Sequence, residues 1–279
     1  MTTKKSILIT GCSSGIGYDA AHNLHKRGWR VFATCRQEKD CERLRGEGLE
    51  SFRLDYEDEG SIREALQECL DRTGGTLDAL FNNGAYALSA AVEDFPRDAL
   101  RAVFETNFFG YFDLIRQVIP VMRAQGHGRI VNCSSVLGIA AMPYRGVYNA
   151  SKFAMEGMTD TLRMEMRGTG IHAILIEPGP ITTKIRENAQ APFEKWIDWK
   201  NSARRDEYEN LLMPRLYAGP KDKPDPGELP ASAVTKKLIH ALESPRPHPR
   251  YYVTWPTYVA GIIKRVFSTR MADWILTRS

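Results

Sequence analysis

The run YNASK sets Tyr148 and Lys152 four positions apart, with only small or polar residues between them. At that spacing a phenol and an ammonium share one face of a helix. A free phenol titrates at about 10 and exchanges protons poorly at neutral pH, whereas a nearby cation favours the phenolate and draws the value down. A phenol tuned toward the working pH serves as a general acid or base. Taken alone, the pair could equally be a tyrosine and a lysine sharing a surface. Ser135 narrows the choice, because it lies just past the β-rich run RIVNCS and so puts a hydroxyl at the carboxyl edge of a strand, where open α/β sheets bind ligands.

A second chemical signal lies near the start of the chain. TGCSSGIG at 10–17 follows a strand-like run and opens a helical one, so Gly11, Gly15 and Gly17 fall where a backbone must turn tightly and approach a ligand. Free N–H groups at such a helix start suit a pyrophosphate, which makes Gly11, Ser13, Ser14, Gly15, Ile16 and Gly17 candidate dinucleotide contacts. Their spacing, Gly-x3-Gly-x-Gly, departs from the commoner Gly-x-Gly-x2-Gly fingerprint. At the end of the second strand an acid would bond a ribose 2′-hydroxyl, and an arginine would suit a 2′-phosphate. The chain reads Ala33-Thr34-Cys35-Arg36 there. Cys35 in the acid's place with Arg36 after it predicts NADP(H) in preference to NAD(H); an ordinary surface arginine is the competing reading. The positive ring of an oxidised nicotinamide would add to the pull of Lys152 on the phenol.

These groups need a scaffold. Short β-rich runs at 6–10, 29–35, 51–55, 78–83, 129–134, 171–177 and 250–254 alternate with helical patterns, which predicts an α/β fold, a seven-stranded parallel sheet with helices on both faces. Ile16, Ala20, Ala21 and Leu24 form one helix face stopped by Gly28, and Ser61 with Glu64 reads as a capping box. A stripe from Leu100 through Val103, Phe104, Phe108, Tyr111, Leu114, Ile115 and Val118 reads as a buried helix leading into Pro120, interrupted by Asn107. Between the sixth and seventh strands a long excursion, about 184–230, carries Phe193, Trp196, Trp199 and Tyr208 and then five prolines from Pro214 to Pro230. Such a length is the mark of a lid or of a partly mobile segment.

In order along the chain, TGCSSGIG, Asp55 after the third strand, FNNGA at 81–85, Asn107, Ser134-Ser135, Tyr148-x3-Lys152 and Pro178-Gly179 with Thr183 resemble the short-chain dehydrogenase/reductase family, over most of residues 6–183. TGCSSGIG, YNASKFAMEG and IEPGPITT are most similar to the branch with 17β-hydroxysteroid and retinol dehydrogenases and bacterial NADP-dependent aldehyde reductases. The resemblance implies a single Rossmann-type doubly wound domain over 1–279, with the lid and a C-terminal extension at about 255–279. It implies Tyr148 as acid/base, Ser135 polarising the carbonyl, Lys152 on the nicotinamide ribose, and Asn107 ordering a water. It also implies Asp55 at the adenine, Asn83 and Gly84 near the adenosine ribose, and Pro178, Gly179, Ile181 and Thr183 at the carboxamide. Asn82-Asn83-Gly84-Ala85 departs from the family's Asn-Asn-Ala-Gly.

Composition agrees with a large globular domain: 279 residues, 43% hydrophobic, net charge +4. That excludes a disordered or fibrous chain, and it offers no strong field for nucleic acid. Five unpatterned cysteines and an N-terminus without a secretory signal predict a reduced, cytoplasmic protein; the triplets at Asn132 and Asn149 then read as chance glycosylation matches. No metal site is expected, since His22 and His25 lack partners in register. Tyr86, Leu88, Leu137, Met142, Pro143 and Tyr144, with Phe193, Trp196 and Trp199, read as walls of an apolar pocket, or else as core or subunit contacts. The tail GIIKRVFSTRMADWIL reads as a helix packed on the body or on another subunit, with a membrane-surface helix as the alternative. Small residues at Ala150, Ala154 and Gly157 would allow a homodimer or homotetramer. The expected activity is NADP(H)-linked interconversion of an apolar carbonyl and an alcohol; the alternatives are a non-catalytic NADP(H) sensor or scaffold, and an epimerase or dehydratase on the same fold.

Overall fold

The structure, a computed structural model, describes residues 4–219 and 225–276; the outermost chain ends and Pro220 and Pro224 of the expected lid lie outside the described residues. Its strands are β1 (Ser6–Ile9), β2 (Arg30–Cys35), β3 (Glu50–Arg53), β4 (Ala79–Asn82), β5 (Gly128–Cys133), β6 (Ile171–Glu177), the two-residue β7 (Ile181–Thr182) and β8 (Leu229–Pro230), and β9 (Arg250–Tyr252). Seven form one parallel sheet in the order β3-β2-β1-β4-β5-β6-β9, and β7 pairs with β8 apart from it. The helices are α1 (Gly15–Lys26), α2 (Glu38–Gly46), α3 (Glu59–Thr73), α4 (Arg97–Phe104), α5 (Gly110–Gln125), α6 (Gly146–Glu165), the short α7 (Ile185–Asn188), α8 (Gln190–Trp196), α9 (Arg205–Glu207) and α10 (Met213–Leu216), and then α11 (Ala231–Glu243), α12 (Trp255–Val266) and α13 (Thr269–Leu276).

Strands buried on both faces read as near-continuous apolar runs, and β1 and β4 are buried throughout, with Ser6 and Asn82 as their polar positions. Alternate side chains serve opposite layers. Ile7 and Ile9 pack with Leu24 of α1, Leu44 of α2 and Leu238 of α11, while Leu8 packs with Ile62 of α3, Leu114 of α5 and Met155 of α6. The strand order reverses between β1 and β4, and the crevice beyond their carboxyl ends is where such sheets take ligands.

Three local expectations are corrected. The N-cap of α3 is Asp58, whose side chain accepts from Gly60 N and Ser61 N; Ser61 lies inside the helix and its hydroxyl accepts from Asp55 N at 3.0 Å. The stripe from Leu100 is two helices, because α4 passes through a π-helical turn at Glu105–Phe109 before α5 begins, and Pro120 sits within α5. Leu100 itself is exposed. In the excursion after β7, Ala189, Phe193, Ile197, Tyr208, Leu212 and Leu216 form a third core cluster with Leu88, Ala99 and Val103. Leu88 and Phe193 are buried there, so they are core, not pocket wall. Among the described residues, no helix is long and apolar enough to cross a membrane.

Candidate active site

The glycine loop at 10–17 is shaped by contacts no side chain could tolerate. A Cβ on Gly17 would stand 2.4 Å from Gly11 O, and one on Gly11, at φ +67°, would stand 2.6 Å from Gly84 Cα. Gly15, at φ +60°, faces Thr183, with a Cβ there falling 3.1 Å from Thr183 Cγ2. The loop thereby touches both the segment after β4 and the segment after β6. Ser14 caps α1 in extended conformation without a side-chain bond to the helix, and the first turn carries no acid. The first N–H groups of α1 thus remain for an anion, at the positive end of the helix dipole.

Thr10, absent from the sequence-derived set, organises the neighbourhood. Its hydroxyl accepts from Asn83 N at 2.9 Å and Gly84 N at 3.1 Å and shares a bond with Tyr56 OH at 2.8 Å. Asn83 Nδ2 in turn donates to Thr10 O and Gly11 O, so this side chain braces the loop. The order Gly84-Ala85 costs nothing locally: a Cβ at 84 would meet its nearest atoms at 3.3 Å, and neither position has the positive φ that demands glycine. A buried polar line continues inward, from Tyr56 OH to Asn82 Oδ1 at 2.7 Å, Asn82 Nδ2 to Asn132 Oδ1 at 2.9 Å, and Asn132 Nδ2 to Thr159 Oγ1 at 2.9 Å. Asn132 and Asn149 are both buried, which agrees with reading their triplets as chance.

At the end of β2, Cys35 is buried beside Cys12 and Cys41 in the core, so the exposed group there is Arg36. Its carbonyl accepts from Arg53 Nε at 3.2 Å, and Arg53 also pairs with Asp55 at 3.1 Å. Arg53 was missed by the sequence reading, since one arginine in a strand of SFRLD gives no signal of its own. Pro178 O accepts from Val136 N at 2.7 Å, Gly179 packs against Thr254 and Thr257, Ile181 joins the β7–β8 ladder, and Thr183 closes over Gly15.

Ser135, Tyr148 and Lys152 come together at the carboxyl end of β5. Ser135 opens a 3₁₀ turn at Val136–Gly138, its Oγ accepting from Leu137 N at 3.1 Å. Tyr148 and Lys152 are both buried on α6. Lys152 Nζ donates to Cys133 O at 2.7 Å and lies 5.6 Å from the ring centroids of both Tyr148 and Tyr111. The expected lowering of the phenol by Lys152 is not found among the chain's own groups. Burial drives the Tyr148 phenol well above its ordinary value and Cys133 adds to this, while a hydrogen bond with Ser135 and the charge of Arg145 oppose it. Burial also lowers Lys152, against the pull of Cys133 and Glu156. Asn107 is buried in the π turn, a frequent device at functional sites, but its side chain is a clamp: Oδ1 accepts from Tyr86 N at 3.1 Å, and Nδ2 donates to Tyr86 O at 3.0 Å and Ser151 Oγ at 3.3 Å. Tyr86, Tyr144, Trp196 and Trp199 stand partly buried around the third core cluster, and Tyr144 holds φ 59°, a strained backbone of the kind found at ligand sites. Among the described residues no three His, Cys, Asp or Glu side chains are grouped to hold a metal, and His22 pairs with Glu47.

The model of a family described as short chain dehydrogenase matches residues 5–193. The chain is 37% identical over 274 residues to the uncharacterized oxidoreductase YbbO of Escherichia coli, covering 98% of this chain and 94% of that one. It is 32% identical over 282 residues to human 17-beta-hydroxysteroid dehydrogenase type 6, covering 99% and 88%. Among solved structures it resembles a short chain dehydrogenase/reductase from Burkholderia phymatum in complex with NAD, at TM-score 0.78 and 25% identity over 98% of this chain and 95% of that one. A serine dehydrogenase complexed with NADP+ shares the fold at TM-score 0.74 and 22% identity, over 90% and 95%.

Proposed function

The chain belongs to the short-chain dehydrogenase family, and from that premise we propose that this oxidoreductase uses NADP(H) to interconvert an apolar aldehyde or ketone and its alcohol, with Tyr148 as acid/base. The observation that carries the reading is the meeting of the Ser135 hydroxyl, the Tyr148 phenol and the Lys152 ammonium at the sheet edge that also holds the glycine cradle. Gly11, Gly15 and Gly17 let the loop pack closer to itself, to Gly84 and to Thr183 than a Cβ would allow, and the first N–H groups of α1 are left without a side-chain cap, so the residues present fit the pyrophosphate of a dinucleotide. Bound NADP(H) would supply or take up the hydride.

The chain's own groups do the rest. In reduction, Tyr148 gives its proton to the carbonyl oxygen and Ser135 donates a hydrogen bond to the alkoxide as charge develops there. Burial holds the phenol in the protonated form that can donate. Lys152, fixed by Cys133 O, presents its remaining N–H groups toward the cofactor's ribose. Asp55, Asn83 and Gly84 line the adenosine side, and Pro178, Gly179, Ile181 and Thr183 the carboxamide side. Asn107 positions the cleft through Tyr86, and an ordered water there is part of the proposed proton path. Arg36, with Arg53 beside it, supports the choice of a 2′-phosphate. The anchored segment after β7 supports a lid that excludes water. Solvent-facing Ala150 and Gly157 on α6 support assembly into a homodimer or homotetramer, and five free cysteines, all buried, support a cytoplasmic location.

Turnover decides between the readings. Purified protein should oxidise NADPH only when a carbonyl from a panel of aliphatic, aromatic, retinoid and steroid compounds is added. Tyr148→Phe should lower the rate about 10²–10⁴-fold while quenching of cofactor fluorescence persists. Cofactor binding without turnover on the panel would indicate a sensor, and substrate conversion without net change in reduced-nicotinamide absorbance an isomerase. Arg36→Ala should weaken NADPH binding more than NADH binding; equal affinities in the wild type overturn the cofactor assignment.

A further inference from the structure

We propose that the outward face of α12, continued into α13, docks on an anionic lipid surface. The helix is built inside out for a soluble protein. Its inward positions are Thr257, Ala260, Gly261 and Ile263, all buried, and Gly261 lies so close to Tyr252 that a Cβ would stand 2.9 Å from its ring. Its outward positions are large and apolar: Trp255 is 60% exposed, Tyr258 48%, Val259 42%, Ile262 58% and Val266 71%. These fall at i, i+3, i+4, i+7 and i+11, a single helical stripe. Isolated exposed apolar side chains are ordinary, but a contiguous stripe marks an interaction face. Phe267 and Met271 extend it.

Charge identifies the occupant. From 255 to 276 the chain has Lys264, Arg265 and Arg270 against Asp273, three cations to one anion, and Lys264 and Arg265 are exposed at the end of α12. Arg265 flanks the stripe, and Lys264 and Arg270 follow at the end of the helix and beyond it; an apolar stripe with cations at its edge and end matches acyl chains bordered by phosphate. A second copy in two-fold pairing would instead bring the same cations to the same seam. Among the described residues there is no spanning helix, so the contact is peripheral. Its position gives it a use. Thr254 and Thr257, at the start of α12, pack on Gly179, and the helix also packs on the 3₁₀ turn that follows Ser135. The helix that carries the docked face therefore packs, on its opposite side, against segments that flank the proposed cleft, and docking would hold the cleft near the lipid surface.

The test uses the full chain and no turnover, so it stands apart from the proposed reaction. Sedimentation with phosphatidylcholine vesicles containing about one-third phosphatidylglycerol should pellet the protein, with a blue shift of tryptophan emission, and phosphatidylcholine alone or high salt should weaken this at least tenfold. Each cation at an anionic surface is worth about fivefold, so Lys264→Gln with Arg265→Gln should lower partitioning roughly 25-fold, and Ile262→Asp with Val266→Asp should abolish it with circular dichroism unchanged. Should the aspartate variant misfold, the glutamine variant carries the test alone. Absence of the wild type from the anionic pellet, or partitioning indifferent to charge, overturns the proposal. So does an aspartate variant that turns a wild-type dimer into a monomer while the wild type ignores vesicles, which would assign the face to a second copy.

Discussion

Glu177→Gln probes the buried charge cluster beside α6, the helix that carries Tyr148 and Lys152. Arg250 on β9 bonds Glu156 and Glu177, and its other nitrogen holds Asp160 Oδ2 at 2.6 Å. The Glu177 side chain is fully buried and that of Glu156 is 9% exposed, yet Glu177 Oε2 and Glu156 Oε1 each lack a hydrogen-bond donor. Two adjacent buried carboxylates in this condition cannot readily both ionise, so one of them keeps its proton. Burial, and then repulsion from Glu156, push Glu177 up to about 8 from an ordinary 4.5, and burial raises Glu156 too. The folded chain therefore keeps a proton that the unfolded chain releases across that window. The stability this confers is present below it and lost as pH rises through it, at up to about 1.4 kcal/mol per unit. From about pH 5 to about pH 8 the loss comes to roughly 2–4 kcal/mol, or roughly 3–7 °C in Tm for a chain of this size. Glutamine has the same shape, donates where the proton was, and does not titrate. Thermal melts of both proteins should show the variant gaining on the wild type by that amount as pH rises. A Tm difference that does not change with pH would refute the retained proton.

Other outcomes follow from the same geometry. Gly17→Ala forces a Cβ against Gly11 O and should cost about 1–3 kcal/mol along with cofactor binding, whereas Gly157→Ala places a methyl in open space on α6 and should add about 0.5–1 kcal/mol; urea melts and cofactor titration compare the two. Because burial raises the Tyr148 phenol, carbonyl reduction, which needs the phenol, should stay level through neutral pH, while alcohol oxidation, which needs the phenolate, should climb with pH. Rate profiles in both directions check this, and oxidation that declines above neutrality is the contrary result. Asn107→Ala unties Tyr86 and should cost about 1–3 kcal/mol with a fall in turnover larger than the fall in cofactor affinity.

Much of the site was readable as spacing. Tyr148 and Lys152 share a helix face whatever surrounds them, the glycines at 11, 15 and 17 declare a backbone that must bend, and alternating runs of β-formers and helical stripes require a parallel sheet whose carboxyl edge gathers both motifs. These are local rules, and they survived. What failed was whatever depends on packing against distant residues. Asp58 displaced Ser61 as a cap by starting α3 earlier, the π turn at Asn107 split a continuous stripe, and Leu88 and Phe193 went to the core because the segment after β7 folds back onto α4. Neither the phenol's upward shift nor the Arg250 cluster has a sequence signature, since Glu156, Glu177 and Arg250 are brought together by strand order and owe their chemistry to desolvation. Spacing along the chain sets which groups can meet, and only the folded environment sets the charge they carry when they do.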